Sequence, residues 1–324
     1  MFDAGEKTHS DEAGMNHLSR SRPDASQLAS RTPSVSMFRL DRLLTLHFFQ
    51  RVLNGARSPS EASIPILMYH SISDDPEPGI PGYYRVSTSP SRFREQMHWL
   101  KEQGYDAVGI PEALRRLEAQ APDAARSVVL TFDDGFHDFL RQAWPVMQDY
   151  GHTATVFLPT AFIGAIRKSF KGRECLTWSE VRDLHRNGVS FASHTVTHPR
   201  LYGLEWTDIQ RELLDSRARI EDEVQAPVIY FAYPYAYPQE DREFVHRFEQ
   251  ELLNQGYRAA VTSVIGCAGF RSNPLRLERL PVNDGDDEQF FKAKLAGAYD
   301  WMADAQAVVR RMKASFHSIR PAYA

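Results

Sequence analysis

Cysteine is scarce. The 324 residues include two, Cys175 and Cys267, far apart and without a C-x-x-C partner. That spacing implies neither a disulfide framework nor a thiolate zinc site and reads as two packing residues, with a pairing in an oxidising compartment left open. The body of the chain has no basic tract and the formal net charge is -4, so neither a nucleic-acid footprint nor an acidic-polymer binder is indicated. A neutral or amino-sugar substrate remains open. No apolar run is long enough to span a bilayer, and no secretory signal opens the chain. These absences point to the cytoplasm, with peripheral attachment to a membrane as the open alternative. With 42% hydrophobic and 25% charged residues, the composition is that of one large soluble α/β domain plus a tail.

Residues 1–36 are rich in Ser, Asp, Glu, Arg and Pro without hydrophobic periodicity, which is the composition of a disordered arm. Residues 37–53 form a basic amphipathic segment carrying Phe38, Leu40, Leu43, Leu44, Leu46, Phe48, Phe49 and Val52. Arg39, Arg42, His47 and Arg51 make it too polar to cross a membrane. It is expected to pack as a helix on the domain, with a membrane surface as the alternative. A Ser/Pro/Gly-containing linker follows near 54–63. The expected organisation is an arm over 1–60, the main folded unit over 61–313 and a tail over 314–324.

The stretch Val128–Gly135 organises that unit. A buried strand delivers two adjacent carboxylates, Asp133 and Asp134, at the point where a glycine lets the backbone turn. Successive strand side chains point to opposite faces, so both can serve one site only if the chain bends there, which Gly135 permits. An Asp-Gly turn with a solvated carboxylate is the plainer reading.

Alternating elements surround it. Ile64–Tyr69 reads as a strand ending at His70, followed by a polar loop. Ser89 and Pro90 open a helix carrying Phe93, Met97 and Leu100. A short strand near Asp106–Gly109 and a helix from Pro111 lead into the Asp-Asp strand. A helix from Phe139 to Tyr150 stops at Gly151, and Thr153–Leu158 is a further strand. Thr177-x-x-Glu180 and Thr207-x-x-Gln210 read as capping boxes. Val189–Ser193, Val228–Tyr233, Tyr257–Ser263 and Leu275–Val282 read as strands, Arg242–Leu253 as a helix, and about 288–312 as a last helix. The alternation predicts a parallel sheet with right-handed crossovers, in enough units to close a barrel. In such sheets chemistry gathers at the carboxyl ends of the strands.

His194 and His198 also follow a strand. At i and i+4 they share a face if the loop begins with a helical turn, which lets both imidazoles reach one ion. With one carboxylate they form a two-histidine, one-carboxylate set that leaves positions open for water and substrate. The pair alone is weak; together with the Asp pair at another strand end it is specific.

Thr131-Phe132-Asp133-Asp134-Gly135 followed by His194-Thr195-Val196-Thr197-His198 resembles the first two motifs of the polysaccharide deacetylases, the NodB-homology or carbohydrate esterase family 4 group, over roughly 64–300. The resemblance implies a distorted (β/α) barrel and one divalent ion, usually zinc, held by Asp134, His194 and His198, with Asp133 as general base. Phe231-Ala232-Tyr233-Pro234-Tyr235 is a third match. Much of the family has an arginine at the place of Ala232, where it holds the catalytic carboxylate, and its absence leaves that role unassigned. The Tyr-Pro-Tyr form resembles the subgroup that de-N-acetylates poly-N-acetylglucosamine in exopolysaccharide biosynthesis. There the tyrosine after Pro234, Tyr235, offers its backbone N–H to the oxyanion, whereas Tyr233 and Tyr237 read as buried aromatics. The late Leu-x-x-His motif is missing, and His317 lies too near the tail. The subgroup's Tyr-His context on the first strand is similar to Tyr69-His70, which assigns the acid role to His70. Asp300-Trp301, on an expected helix, is discounted.

The implied activity is metal-dependent hydrolysis of an N-acetyl group on a sugar, with His70 acting as an imidazolium acid. Another carbon-nitrogen hydrolase on the same barrel, or an inactive carbohydrate-binding protein, are the alternatives. The loop 71–84 and the insertion 162–175 are expected to border the groove.

Overall fold

The computed structural model describes residues 39–49 and 63–308. The expected disordered stretch 1–36, linker residues 54–62 and the tail 314–324, His317 included, lie outside the described residues. The main sheet contains strands β1 (Ile66–Tyr69), β2 (Asp106–Ala107), β3 (Ser127–Phe132), β4 (Thr155–Leu158), β5 (Ser190–Ser193), β6 (Tyr230–Ala232), β7 (Ala259–Ile265) and β8 (Leu277–Pro281). Seven of them close a parallel barrel in chain order, because β8 pairs with β1 and β1 with β3. Strand β2 takes the free edge of β3 at Ser127 and Val128, below the point where β4 begins to pair at Thr131.

Every residue of β3 is buried, as parallel strands covered on both faces require. Alternate residues serve two clusters. Ile66, Val129, Phe157, Ala192, Ala232, Val261 and Leu277 fill the interior, while Leu67, Val128, Leu130, Phe132, Val156 and Leu158 face the helices outside. The helices are α1 (Leu40–Leu44), α2 (Pro90–Glu102), α3 (Ile110–Glu118), α4 (Trp144–Tyr150), α5 (Trp178–Arg186), α6 (Trp206–Val224), α7 (Arg242–Asn254) and α8 (Glu288–Leu295). Ile110, Ala113 and Leu117 of α3 join the interior cluster with Ile64 and Ala268 and so plug the barrel end opposite the strand carboxyl termini. Phe93, Met97 and Leu100 of α2 are buried as their spacing predicts, each burial contributing about 1.5–3 kcal/mol.

The caps divide. Thr177 and Glu180 form the reciprocal capping box that opens α5, and Ser89 accepts from Arg92 N–H ahead of Pro90. The expected box at Thr207 and Gln210 does not form. Helix α6 starts at Trp206 after Glu205, without a side-chain cap, and Gln210 donates instead to Glu251 of α7. The helix expected over 139–150 begins with a wider π turn at Phe139–Ala143 before α4. The last expected helix is interrupted rather than continuous, because Gly297 turns left-handed at φ 76° after α8 and helical residues resume only at 302–308. Asp300 and Trp301 accordingly sit in turns rather than on a helix. The loop after His70 also holds a short strand, Ser71–Ile72, paired with Ser87–Thr88.

Residues 39–49 pack on the domain. Leu46 joins the outer core, Phe49 stacks on Trp301 at 4.8 Å, and Trp301 Nε1 donates to Thr45 Oγ1. Arg39 pairs with Asp41 and lies near Asp286, and Arg42 pairs with Asp287. Leu40, Leu44 and Phe48 keep their side chains outward. No helix among the described residues is long and apolar enough to cross a membrane.

Candidate metal centre and active site

The Asp pair becomes one site through its backbone. Asp134 and Gly135 both adopt left-handed conformations, at φ 71° and 60°, so the chain turns sharply and the two carboxylates no longer point to opposite faces. Gly135 is required twice over, since a Cβ there would sit 2.6 Å from Leu158 Cδ2. Backbone strain concentrates here: of seven non-glycine residues with positive φ among the described ones, Asp134, Lys171, Thr195, His198 and Tyr235 line this site. Such conformations persist only where the surroundings over-determine them.

The two histidines do meet, though not by the expected helical turn. Thr195 and His198 are left-handed, at φ 69° and 55°, and the segment is a looped bend. Ser193 Oγ accepts from Thr195 N–H, and Thr195 Oγ1 from His198 N–H. Glu212 of α6 accepts from the N–H groups of Val196 and Thr197 and from the Thr197 hydroxyl. The rings end with their Nε2 atoms 3.1 Å apart.

That geometry suits a cation. His194 Nδ1 lies 2.8 Å from the Ala232 carbonyl, which can only accept, so Nδ1 carries the proton and Nε2 presents a lone pair. Asp134 Oδ1 is 3.3 Å from His198 Nε2 and 3.7 Å from His194 Nε2. It is buried and has no hydrogen-bond partner. Ligand atoms of Asp134, His194 and His198 all lie within 4.8 Å of one another. Burial and the neighbouring His194 draw His198 down to about 3, against the pull of Asp134, which favours the neutral form, the one able to ligate. An orphaned carboxylate oxygen beside two converging imidazoles fits a divalent ion by donor chemistry as well as by position.

Asp133 faces the same point and is 3% exposed. Sequence reasoning missed its principal partner. Arg279 of β8 reaches across the barrel interior and donates from Nη1 to Oδ1 at 2.7 Å and from Nη2 to Oδ2 at 2.8 Å. Its Nε donates to the Thr262 carbonyl at 2.9 Å, where the ladder between β7 and β8 slips: Val261 pairs with Leu277 but Ile265 with Arg279. Ala232 belongs to the interior cluster with Phe157, and the Arg279 guanidinium lies 5.8 Å from the Phe157 ring centre. A small residue at 232 and an inward arginine at 279 therefore occupy one compartment. The signal was legible in principle, because Arg279 stands two residues after the inward Leu277 and shares its face. Burial alone raises the Asp133 carboxyl, but the Arg279 charge and hydrogen bonds, with His194, overcome it and hold the group well below the usual carboxylate range.

His70 Nε2 lies 3.9 Å from Asp133 Oδ2, with burial lowering the imidazole below its ordinary 6.5 against the pull of both aspartates. The Tyr235 ring meets the His198 ring edge-on at 4.7 Å, and Ser263 Oγ donates to the Tyr235 carbonyl. Pro234 is buried. Tyr233 and Tyr237 pack against each other at 4.9 Å, 2% and 1% exposed, as structural aromatics. Neither cysteine is in a disulfide, and burial pushes the Cys175 thiol up to about 12.

A family model described as polysaccharide deacetylase matches residues 120–259. The chain is 30% identical over 241 residues to YxkH of Bacillus subtilis (strain 168), a polysaccharide deacetylase by name, covering 73% of this chain and 77% of that one. It is 25% identical over 218 residues to a poly-beta-1,6-N-acetyl-D-glucosamine N-deacetylase of Staphylococcus aureus, covering 64% of this chain and 71% of the relative. Among solved structures, the Streptococcus pyogenes deacetylase PplD in complex with acetate superposes with a TM-score of 0.62 at 26% identity, over 72% of this chain and 99% of that one. IcaB from Ammonifex degensii shares the fold at a TM-score of 0.59 and 19% identity, over 72% of this chain and 97% of that one. The barrel, the site and these likenesses together make the chain a member of the polysaccharide deacetylase family of hydrolases.

Proposed function

We propose that the protein is a metal-dependent de-N-acetylase that releases acetate from N-acetylated sugars of a polysaccharide or oligosaccharide, in exopolysaccharide or cell-envelope glycan metabolism. One observation carries the reading: the partnerless Asp134 Oδ1 converges with His194 and His198 Nε2 beside an Asp133 clamped by Arg279. Asp134, His194 and His198 would hold the ion, and zinc suits this donor set, as do cobalt, iron and nickel. When bound, the ion supplies Lewis acidity that activates water near neutral pH and polarises the acetamide carbonyl.

The remaining work falls to the chain's own side chains. Asp133 Oδ2 accepts the proton of the attacking water, while Arg279 keeps the carboxylate aimed and ionised. His70 Nε2 lies 3.9 Å from Asp133 Oδ2, so the imidazole that takes up a proton stands beside the carboxylate that accepts one from water. His70 is then the imidazolium that protonates the departing nitrogen, which cannot leave as an anion. The Tyr235 backbone N–H, on a left-handed residue at φ 58°, is the donor for the developing oxyanion, a contribution of about 3 kcal/mol. Pro234 fixes the chain before it.

Ala232 argues mildly for an inactive carbohydrate-binding protein, and Arg279 weighs against that alternative by supplying the contact to Asp133 that Ala232 cannot. Acetate release from N-acetylglucosamine oligomers, abolished by a chelator, is the expected result. D133N should keep the metal and lose turnover, whereas H194A should lose both. Sugar binding by metal-loaded protein without any acetate release would overturn the proposal.

A further inference from the structure

Lys171 takes no part in the chemistry above, yet its surroundings bring its ammonium to one atom. It opens the two-residue turn that joins the antiparallel strands Ser169–Phe170 and Arg173–Glu174. Both turn residues are left-handed, Lys171 at φ 49° and Gly172 at 78°. Such turns match the twist of a hairpin but favour Asn, Asp or Gly at their first position, and a lysine is disfavoured there.

The hairpin is rooted over the metal-ligating set. Phe170 packs on Phe162 at 4.2 Å and on the His198 ring at 5.1 Å. Cys175 N–H donates to the Lys168 carbonyl and His137 N–H to that of Glu174. Lys171 Nζ lies 4.6 Å from the Phe170 ring centre and 5.6 Å from that of Tyr235, and donates to Asp134 Oδ2 at 3.1 Å. The two oxygens of Asp134 thus have separate environments. Oδ1 faces both imidazoles without a hydrogen-bond partner; Oδ2 is engaged by the ammonium.

We propose that Lys171 is a positioning residue for Asp134, holding Oδ2 from outside the ligand set so that Oδ1 alone is presented to the ion. It rests on the metal-centre reading above. An exposed ion pair would do little, but this one has its carboxylate end buried, at 2% side-chain exposure against 42% for the lysine. Partners that hydrogen-bond a ligating carboxylate orient it, and their loss typically lowers metal affinity about 10- to 100-fold.

Cobalt(II) is the probe, because its visible absorption reports coordination number. The wild type, K171M, K171A, K171R and H194A proteins, each checked by far-UV circular dichroism, are titrated with Co2+. K171M and K171A should bind about tenfold or more weakly and show a weakened, shifted visible band as the freed carboxylate engages through both oxygens. K171R, which retains a cationic donor, should restore the wild-type spectrum. Neutral variants that match wild type in both affinity and spectrum, or a K171R protein that behaves like K171M, would overturn the role of Lys171 alone. A wild type that takes up no Co2+, or H194A that takes it up unchanged, would instead overturn the metal-centre reading on which it rests.

Discussion

Arg279 and Asp133 meet fork to fork inside the barrel, each guanidinium nitrogen on its own carboxylate oxygen at 2.7 and 2.8 Å. They stand 146 residues apart in the chain. The pair resolves the problem posed by Ala232: the orienting charge is present, but it arrives from β8 rather than β6. Bidentate pairing fixes direction as well as charge, which the proposed general base needs in a site it shares with Asp134, His194, His198 and His70.

Replacing Arg279 by methionine should therefore leave Asp133 buried and unpaired. Breaking a buried ion pair by removing one partner costs about 3–5 kcal/mol of stability, readable as a lowered denaturation midpoint. The carboxyl, no longer held down, should also rise. Because the base must be ionised, the acidic limb of the kcat/KM profile should move to higher pH, with a fall in kcat of about 100-fold or more. An unshifted acidic limb would remove Arg279 from its orienting role.

Glu212 clamps the histidine loop through two backbone N–H groups and one hydroxyl. Glu212→Ala should leave the barrel folded yet loosen His198, lowering metal affinity by about tenfold. Metal content after dialysis against a graded chelator series measures this, and retention equal to wild type would show that the clamp is dispensable.

His152 provides a pH test away from the active site. It is 7% exposed, and burial lowers its imidazole below the ordinary 6.5, opposed by a hydrogen bond with the Met97 backbone. The unfolded chain therefore takes up a proton near pH 6.5 that the folded chain resists, so stability falls as pH drops below that value. His152→Phe should flatten this part of the decline. Urea denaturation of both proteins between pH 5 and 7.5 should show a difference in stability that changes with pH; a constant difference would rule out His152.

The docking of residues 39–49 depends on Trp301, which stacks on Phe49 and donates to Thr45. Trp301→Ala should speed limited proteolysis within this segment while the barrel resists, as expected when an element held by few contacts opens locally. Cleavage at the wild-type rate would show that Leu46 and the pairs of Arg39 and Arg42 suffice.

Local signals were legible where one residue decides the outcome: the capping box at Thr177, the stop at Gly151, the turn at Gly135, the buried run of β3. They failed where partners lie far away. Thr207 and Gln210 have the composition of a capping box, but Gln210 turns to Glu251 on another helix. The histidine pair reads as one turn of helix from its i, i+4 spacing, yet Glu212 and Thr195 bend it otherwise.

The chain by itself determined the alternation of buried strands and amphipathic helices, and the residue types able to bind an ion at the strand carboxyl ends, because periodicity and side-chain chemistry are local properties. Only tertiary structure decided which cation steadies Asp133 and which hairpin overhangs Asp134. Arg279 reaches its carboxylate through a slipped ladder and a compartment left open by Ala232, and both are set by how strands from distant parts of the chain close into a barrel.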